Sequence, residues 1–169
     1  MNLQFYIEKL KHSEEYKKFM KENPDAYLCS GFFIIDKENL KNPDNKAHLD
    51  VYAPSKEKMF NFQLDGGTKL LPVEMFKGNL TPTKIKVNSK LDFREMEDMI
   101  YDKMKKQGIK NKLQKIIMIL QNKDKKDFWI CTVFISGFGL LKVNIDDASG
   151  KIILFEKKSF FDMLRVVKK

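Results

Sequence analysis

The fold is decided by residues 91–155, where one amphipathic segment is followed by several short apolar ones. The amphipathic segment reads LDFREMEDMIYDKMKKQG (residues 91–108), and the longest apolar segments read IIMIL (116–120) and FWICTVFIS (128–136). Every third or fourth residue of the amphipathic segment is apolar, which is the spacing of one helix face. These residues are Phe93, Met96, Ile100 and Met104. This half is therefore predicted to be a helix followed by antiparallel strands.

The signals at the ends of these segments set their predicted bounds. Asp92 can cap the helix and Gly108 can end it, so we predict a helix over Leu91–Gln107. The strands predicted after it are Ile116–Leu120, Phe128–Ser136, Leu140–Ile145 and Lys151–Phe155. A short terminal helix is predicted from a Ser159 cap. Its expected buried residues are Phe160, Met163, Leu164 and Val167.

The first half repeats the order of helix and then strands. A helical pattern covers Leu3–Glu22, with a break near His12 and Ser13 as a second N-cap, and Asn23-Pro24-Asp25 stops it. The predicted strands are Tyr27–Asp36, His48–Ala53, Lys58–Leu64 and Thr83–Val87, the remainder of Lys69–Asn88 being left without an assignment. The fragment Ser-Gly-Phe occurs in both halves, at 30–32 and 136–138.

These patterns predict an α+β protein made of two helix-plus-antiparallel-meander units. The units cover residues 1–88 and 89–169. An internal duplication explains the repeated order, and a single compact domain explains it equally. A chain of 169 residues is long enough for either arrangement.

The second half resembles known domains. A helix followed by a meander resembles the cystatin-like arrangement. More narrowly, the segment KVNIDDASGKII (residues 142–153) resembles the strand, turn and strand of PepSY domains, which typically carry an Asp shortly before a Ser/Thr-Gly pair. The resemblance implies a non-catalytic binding role or a link to peptidase propeptides, and most such domains are exported.

Composition excludes several other classes. Hydrophobic residues make up 43% of the chain, too many for a disordered protein. No apolar run approaches the ~18–20 residues of a membrane span, and no basic and apolar export signal begins the sequence. Cys29 and Cys131 lie in apolar runs far apart in the sequence, which predicts buried free thiols. We therefore expect a cytoplasmic protein without a cofactor.

No catalytic or metal-binding pattern stands out. The two histidines, His12 and His48, are expected to be solvated surface residues. The acids of the second helix are interpreted as its polar back, and those after residue 145 as a turn rather than a calcium loop. These acids are Glu95, Asp98, Asp102, Asp146 and Asp147. The sequence thus favours a non-enzymatic protein.

Positive charge is the remaining feature. The formal net charge is +9, and the window from Lys103 to Lys126 holds nine lysines against one acid, Asp124. The candidate electrostatic contacts are Lys105, Lys106, Lys110, Lys112, Lys123, Lys125 and Lys126. Only Arg94 and Arg165 could bind phosphate with a guanidinium fork, which weakens the case for nucleic acid.

The leading hypothesis is a binding module for a protein or peptide partner. Strand edges near Tyr52 and Phe60 and the lysine-rich ends are its candidate contacts, because an exposed edge can pair with a partner strand. The alternative is weak, lysine-mediated binding of nucleic acid or an anionic surface. The sequence leaves the oligomeric state open.

Overall fold

The computed structural model describes residues 1–73, 80–159, 161, 162 and 164. Three α-helices have nine residues or more: α1 (Leu3–His12), α2 (Glu14–Glu22) and α3 (Phe93–Lys106). The strands of the first half are β1 (Tyr27–Asp36), β2 (Lys46–Ala53), β3 (Lys58–Gln63) and β4 (Lys69–Val73). Those of the second half are β5 (Leu113–Lys123), β6 (Lys126–Ile135), β7 (Gly139–Asp146) and β8 (Lys151–Ser159).

All eight strands form one antiparallel sheet in the order β4-β3-β2-β1-β5-β6-β7-β8. Each half contributes a meander of four strands, and the two meanders meet where β1 pairs with β5. The pairing runs from Ser30 opposite Gln121 to Asp36 opposite Lys115. The α+β class is confirmed, and the order of helix and then strands occurs in both halves.

The helices all pack on one face of the sheet, called here the covered face. Phe33 on β1 contacts Tyr6 of α1 and Phe93 of α3, with ring centroids 5.2 and 4.8 Å apart. Phe19 of α2 meets Phe62 of β3 at 5.4 Å. Alternate strand residues point toward the helices, so this face is almost completely buried. Burial of these rings supplies most of the driving force for folding.

The helix ends agree with the sequence signals. Ser13 separates α1 from α2, and its hydroxyl accepts a hydrogen bond from the backbone N–H of Tyr16. Asp92 forms a reciprocal capping box with Glu95 at the start of α3. Gly108 follows the helix with φ +68°. These caps satisfy backbone groups that would otherwise lack partners at the helix ends.

One predicted strand is absent and one observed strand was left unassigned. Thr83–Val87 is not a strand, because its backbone donates once to β1, from Ile85 to Leu28, and once to the Asp127 carboxylate, from Lys86. The strand β4 was not predicted, since Pro72 interrupts its apolar pattern. A proline is tolerated there because β4 is an edge strand.

The chain end was predicted in part. Ser159 does act as a cap, accepting a hydrogen bond from the N–H of Asp162. Leu164 was expected to be buried but is 49% exposed. The other three residues expected to be buried there lie outside the described residues: Phe160, Met163 and Val167.

The two Ser-Gly-Phe fragments occupy different structures. Gly31 lies inside β1, where an added Cβ would approach the Phe33 ring to 2.9 Å. Gly137, by contrast, lies in the turn after β6 with φ +78°. The shared fragment therefore does not mark equivalent positions.

The segment 142–153, which resembles part of a PepSY domain, forms a strand, a turn and a strand. In the turn, the Asp146 carboxylate accepts a hydrogen bond from the Ser149 N–H.

Residues 80–90 are attached to the second meander by two acids. Asp127 is 4% exposed and accepts hydrogen bonds from the Lys86 N–H and the Asn122 amide, each at 2.6 Å. Asp147 accepts from the Trp129 indole at 2.7 Å and from the Ser89 hydroxyl. Side-chain acceptors thus replace a strand partner along this segment.

Replacing Asp127 by Ala is expected to lower the free energy of unfolding by about 1–3 kcal/mol, because two donors lose a buried acceptor. Chemical denaturation measures the change. Asp98→Ala, at an exposed position of α3, serves as the control and should change stability by less than ~0.5 kcal/mol. Equal effects of the two substitutions would contradict this role for Asp127.

Candidate functional site

The sheet face opposite the helices, called here the open face, carries an uncharged row of side chains across seven strands. Paired residues on neighbouring strands point to the same face, so the register defines the row directly. From β3 to β8 it contains Gln63, His48, Phe32, Ile119, Ile130, Asn144 and Leu154. It contains no lysine, arginine or carboxylate. This is the central row of the open face.

A second row lies beside the central row, two residues further along each strand. It contains Lys46, Ile34, Ile117, Thr132, Lys142 and Glu156. Apolar side chains occupy its centre and charged ones its ends. Phe32 and the isoleucines of both rows are partly exposed to solvent. The open face therefore combines an apolar centre with a charged rim, which is the anatomy of a protein interface.

Two depressions extend the apolar area. One, of about 440 Å³, lies between Phe32, Ile119 and Pro82 near the start of β1. The other, of about 420 Å³, lies beside Phe134 and Leu140 at the turn between β6 and β7. The open face is thus not flat, and each end offers space for a side chain of a partner.

A polar cluster borders the first depression. The Asn61 amide donates to the Asp50 carboxylate at 2.7 Å, and the Cys29 thiol donates to the Asp50 carbonyl at 3.5 Å. Burial raises the pKa of Asp50, although the Asn61 hydrogen bond partly opposes the shift. Burial and the nearby Asp50 also raise the pKa of Cys29 to about 12. A protonated, buried thiol is not a nucleophile.

The histidines differ from each other. His12 is exposed at the end of α1, as predicted. His48 was expected to be a solvated residue but lies on the open face, 5.6 Å from the Phe32 ring centroid and 3.2 Å from Asp65. His48 remains at the surface, because β2 begins two residues before it and directs its ring onto the open face, where 20% of the side chain is exposed.

The seven candidate lysines are all exposed but form two separate groups. Lys105 and Lys106 end α3, and Lys110 and Lys112 lie in the loop that leads to β5. The other three are Lys123 at the far end of β5, Lys125 in the turn after it and Lys126 at the start of β6. The eleven residues of β5 separate the groups by about 35 Å. One compact ligand cannot contact both groups.

The predicted strand edges near Tyr52 and Phe60 are not edges. Tyr52 lies on β2 between β1 and β3, and Phe60 lies on β3 between β2 and β4. The backbone groups of both residues are thus engaged within the sheet. The edge strands are β4 and β8.

On the covered side, a groove of about 720 Å³ separates α1 from α3. Its floor includes Tyr6 and Phe33, and its walls carry charges of both signs. These charges contact groups of the chain itself: Lys37 pairs with Glu97 at 2.7 Å, and Lys9 donates to the Leu64 carbonyl. The groove has room for a small molecule, but Lys9, Lys37 and Glu97 are already engaged within the chain.

The other candidate sites have structural roles. Glu95, Asp98 and Asp102 are exposed on α3, as predicted. Asp146 closes the turn before β8, also as predicted. Among residues 1–73 and 80–159, the acids, histidines and cysteines form no group of three that could hold a metal ion. None of the helices described combines the length and apolarity needed to cross a membrane.

Sequence reasoning missed the open face, although a signal was present. Residues 32–35 read FFII and residues 116–120 read IIMIL, so neither run alternates between polar and apolar side chains. A strand that is apolar at every position has two apolar faces. The three helices α1, α2 and α3 pack on one of these two faces. Comparison with protein families, curated proteins and solved structures finds no match for this chain.

Both cysteines are expected to resist thiol reagents in the folded protein at pH 8. Cys131 is fully buried, and burial raises its pKa to about 12, so neither thiol ionises at that pH. Titration with a chromogenic disulfide should label no cysteine in buffer and both cysteines in denaturant. Rapid labelling of Cys29 in buffer would instead identify it as reactive.

Asp50→Asn is expected to stabilise the protein at pH 8 but not near pH 4. Because the folded-state pKa of Asp50 is raised, the wild type gains stability as the pH falls through that pKa and loses it as the pH rises. Thermal unfolding measures the effect, and the Tm of the variant should exceed that of the wild type at pH 8 alone. Asp98→Asn on the exposed face of α3 is the control. An equal gain in Tm at pH 8 and near pH 4 would contradict a raised pKa of Asp50 in the folded protein.

Proposed function

We propose that this chain is a non-enzymatic, cytoplasmic binding module that binds a protein partner through its open face. One observation carries the proposal: apolar side chains of β1, β5 and β6 form adjoining, partly exposed rows, and none of the helices in the described part of the chain lies over them. Exposed apolar patches rimmed by polar residues are typical of interaction sites. Burial of the two cysteines as free thiols supports a reducing compartment.

The proposal includes an origin by duplication of a cystatin-like unit. Its support is the arrangement of the sheet, in which each half contributes a helical segment and a four-stranded meander that extends outward from the β1–β5 pair. The PepSY-like turn after Asp146 supports the resemblance in the second half alone.

An apolar binding face is favoured over catalysis for a physical reason. Catalysis needs groups whose protonation suits proton transfer or nucleophilic attack. The Asp50 cluster offers a carboxylate held by an amide and a thiol held in its protonated form. Among the residues that the structure describes, neither group has a histidine or lysine as a hydrogen-bond partner that would activate it.

The alternative is lysine-mediated binding of nucleic acid or an anionic surface. One observation supports it: all seven candidate lysines are exposed. It requires a ligand long enough to reach both ends of β5, or one that uses a single group. Such binding would weaken steeply with added salt, whereas apolar binding would not.

Photo-crosslinking tests the proposal. We expect p-benzoylphenylalanine in place of Phe32, on the open face, to form a discrete covalent adduct with a protein in irradiated cells. The same residue in place of Phe5, which is 48% exposed on α1, is the matched control and should form none. Absence of an adduct at position 32, or equal adducts at both positions, would contradict open-face binding.

A further inference from the structure

We infer that the protein bound by the open face is a second copy of this chain, which gives a homodimer of two face-to-face sheets. This inference rests on the proposed function and names its partner. It depends on three properties of the open face: its area, its pattern of side chains and the position of its charges.

The area matches that of a stable dimer. At the ~4.8 Å spacing of strands, the central row is about 29 Å long. Together with the second row and one mixed polar and apolar row on each outer side, which include Gln121 with Phe128 and Lys115 with Phe134, it covers about 20 Å along the strands. The resulting projected area is about 600 Å², and the relief of the side chains raises the accessible area toward the ~800 Å² that each partner of a standard interface buries. A single partner helix, about 10–12 Å wide, would cover only half of it.

The pattern of side chains suits a sheet as the partner. Phe32, Ile119 and Ile130 form a regular row, and Ile34 and Ile117 continue it along the strands. Sheets stack about 10 Å apart when rows of this kind interdigitate. Because the same surface occurs on every copy, a two-fold axis suffices to bring two such faces together.

The charges lie where a dimer tolerates them. Lys142 and Glu156 occupy one end of the second row, and Lys46 occupies the other. The two outer rows carry further charges, including Asp50 and Asp146 in one and Asp36, Lys115 and Lys158 in the other. At these rim positions the side chains can stay hydrated while the centre is buried. The net charge of +9 per chain opposes association at low ionic strength, but at ~0.15 M salt the Debye length is about 8 Å, so the repulsion is largely screened.

Sedimentation equilibrium of the purified full chain tests the dimer. The wild type should contain a species of twice the 19.9 kDa chain mass at micromolar concentration. Thr132→Lys adds a charge at the centre of the second row without removing apolar surface, and Ile119→Lys adds one to the central row. Each change should weaken dimerisation by at least about 100-fold, since symmetry buries the new charge twice.

The matched control is Leu40→Lys, because Leu40 is 76% exposed in the loop after β1. It should remain dimeric. Circular dichroism and Tm establish that each variant is folded, and Thr132→Lys keeps the test valid if Ile119→Lys does not fold. Raising salt from about 0.05 to 0.5 M should tighten the dimer, because repulsion between the two copies is screened.

Three results would overturn the inference that the partner is a second copy of this chain. They are a wild type that stays monomeric at ~100 µM, a dimer that survives both Thr132→Lys and Ile119→Lys, and a dimer that added salt dissociates. A monomeric wild type together with a Phe32 adduct to a different protein would refute the homodimer and leave the proposed function standing. A monomer without any adduct would refute both.

Discussion

The rest of the structure depends on the antiparallel pairing of β1 with β5. These strands are the innermost members of two meanders that would otherwise be separate sheets with four edges. Their pairing leaves β4 and β8 as the edges of the described sheet, and Phe33 contacts both α1 and α3. The helices therefore share one continuous layer of the core. Removing unpaired edges also limits uncontrolled association through strands.

The same pairing creates the open face. Because β1 and β5 lie side by side, their outward residues Phe32 and Ile119 become neighbours, and Ile130 of β6 extends the row. Each of these side chains alone would be an ordinary exposed apolar residue. Together they form an apolar surface whose exposure to water is unfavourable in free energy. Our proposal of association through this surface, rather than through charge, starts from this row.

The contrast between the lysines and the open face shows where sequence reasoning is strong and where it fails. The seven candidate lysines form two groups because of local structure: Lys112 precedes β5 and Lys123 ends it. The helix caps at Ser13 and Asp92 are also local and were predicted. The misassigned residues 83–87, in contrast, depend on Asp127, which is distant in sequence. Likewise, Phe60 could not be placed inside the sheet until β4, interrupted by Pro72, was found beside it.

By itself, the sequence determined the class of the protein: its helices, most of its strands, the order repeated in both halves and the burial of both cysteines. Periodicity and capping are properties of neighbouring residues, and they are written directly in the chain. Only the tertiary structure decided that the two meanders join through β1 and β5 and that all three helices pack on the same side. Strand pairing joins residues far apart in sequence, so no local pattern reveals which apolar face remains without a cover.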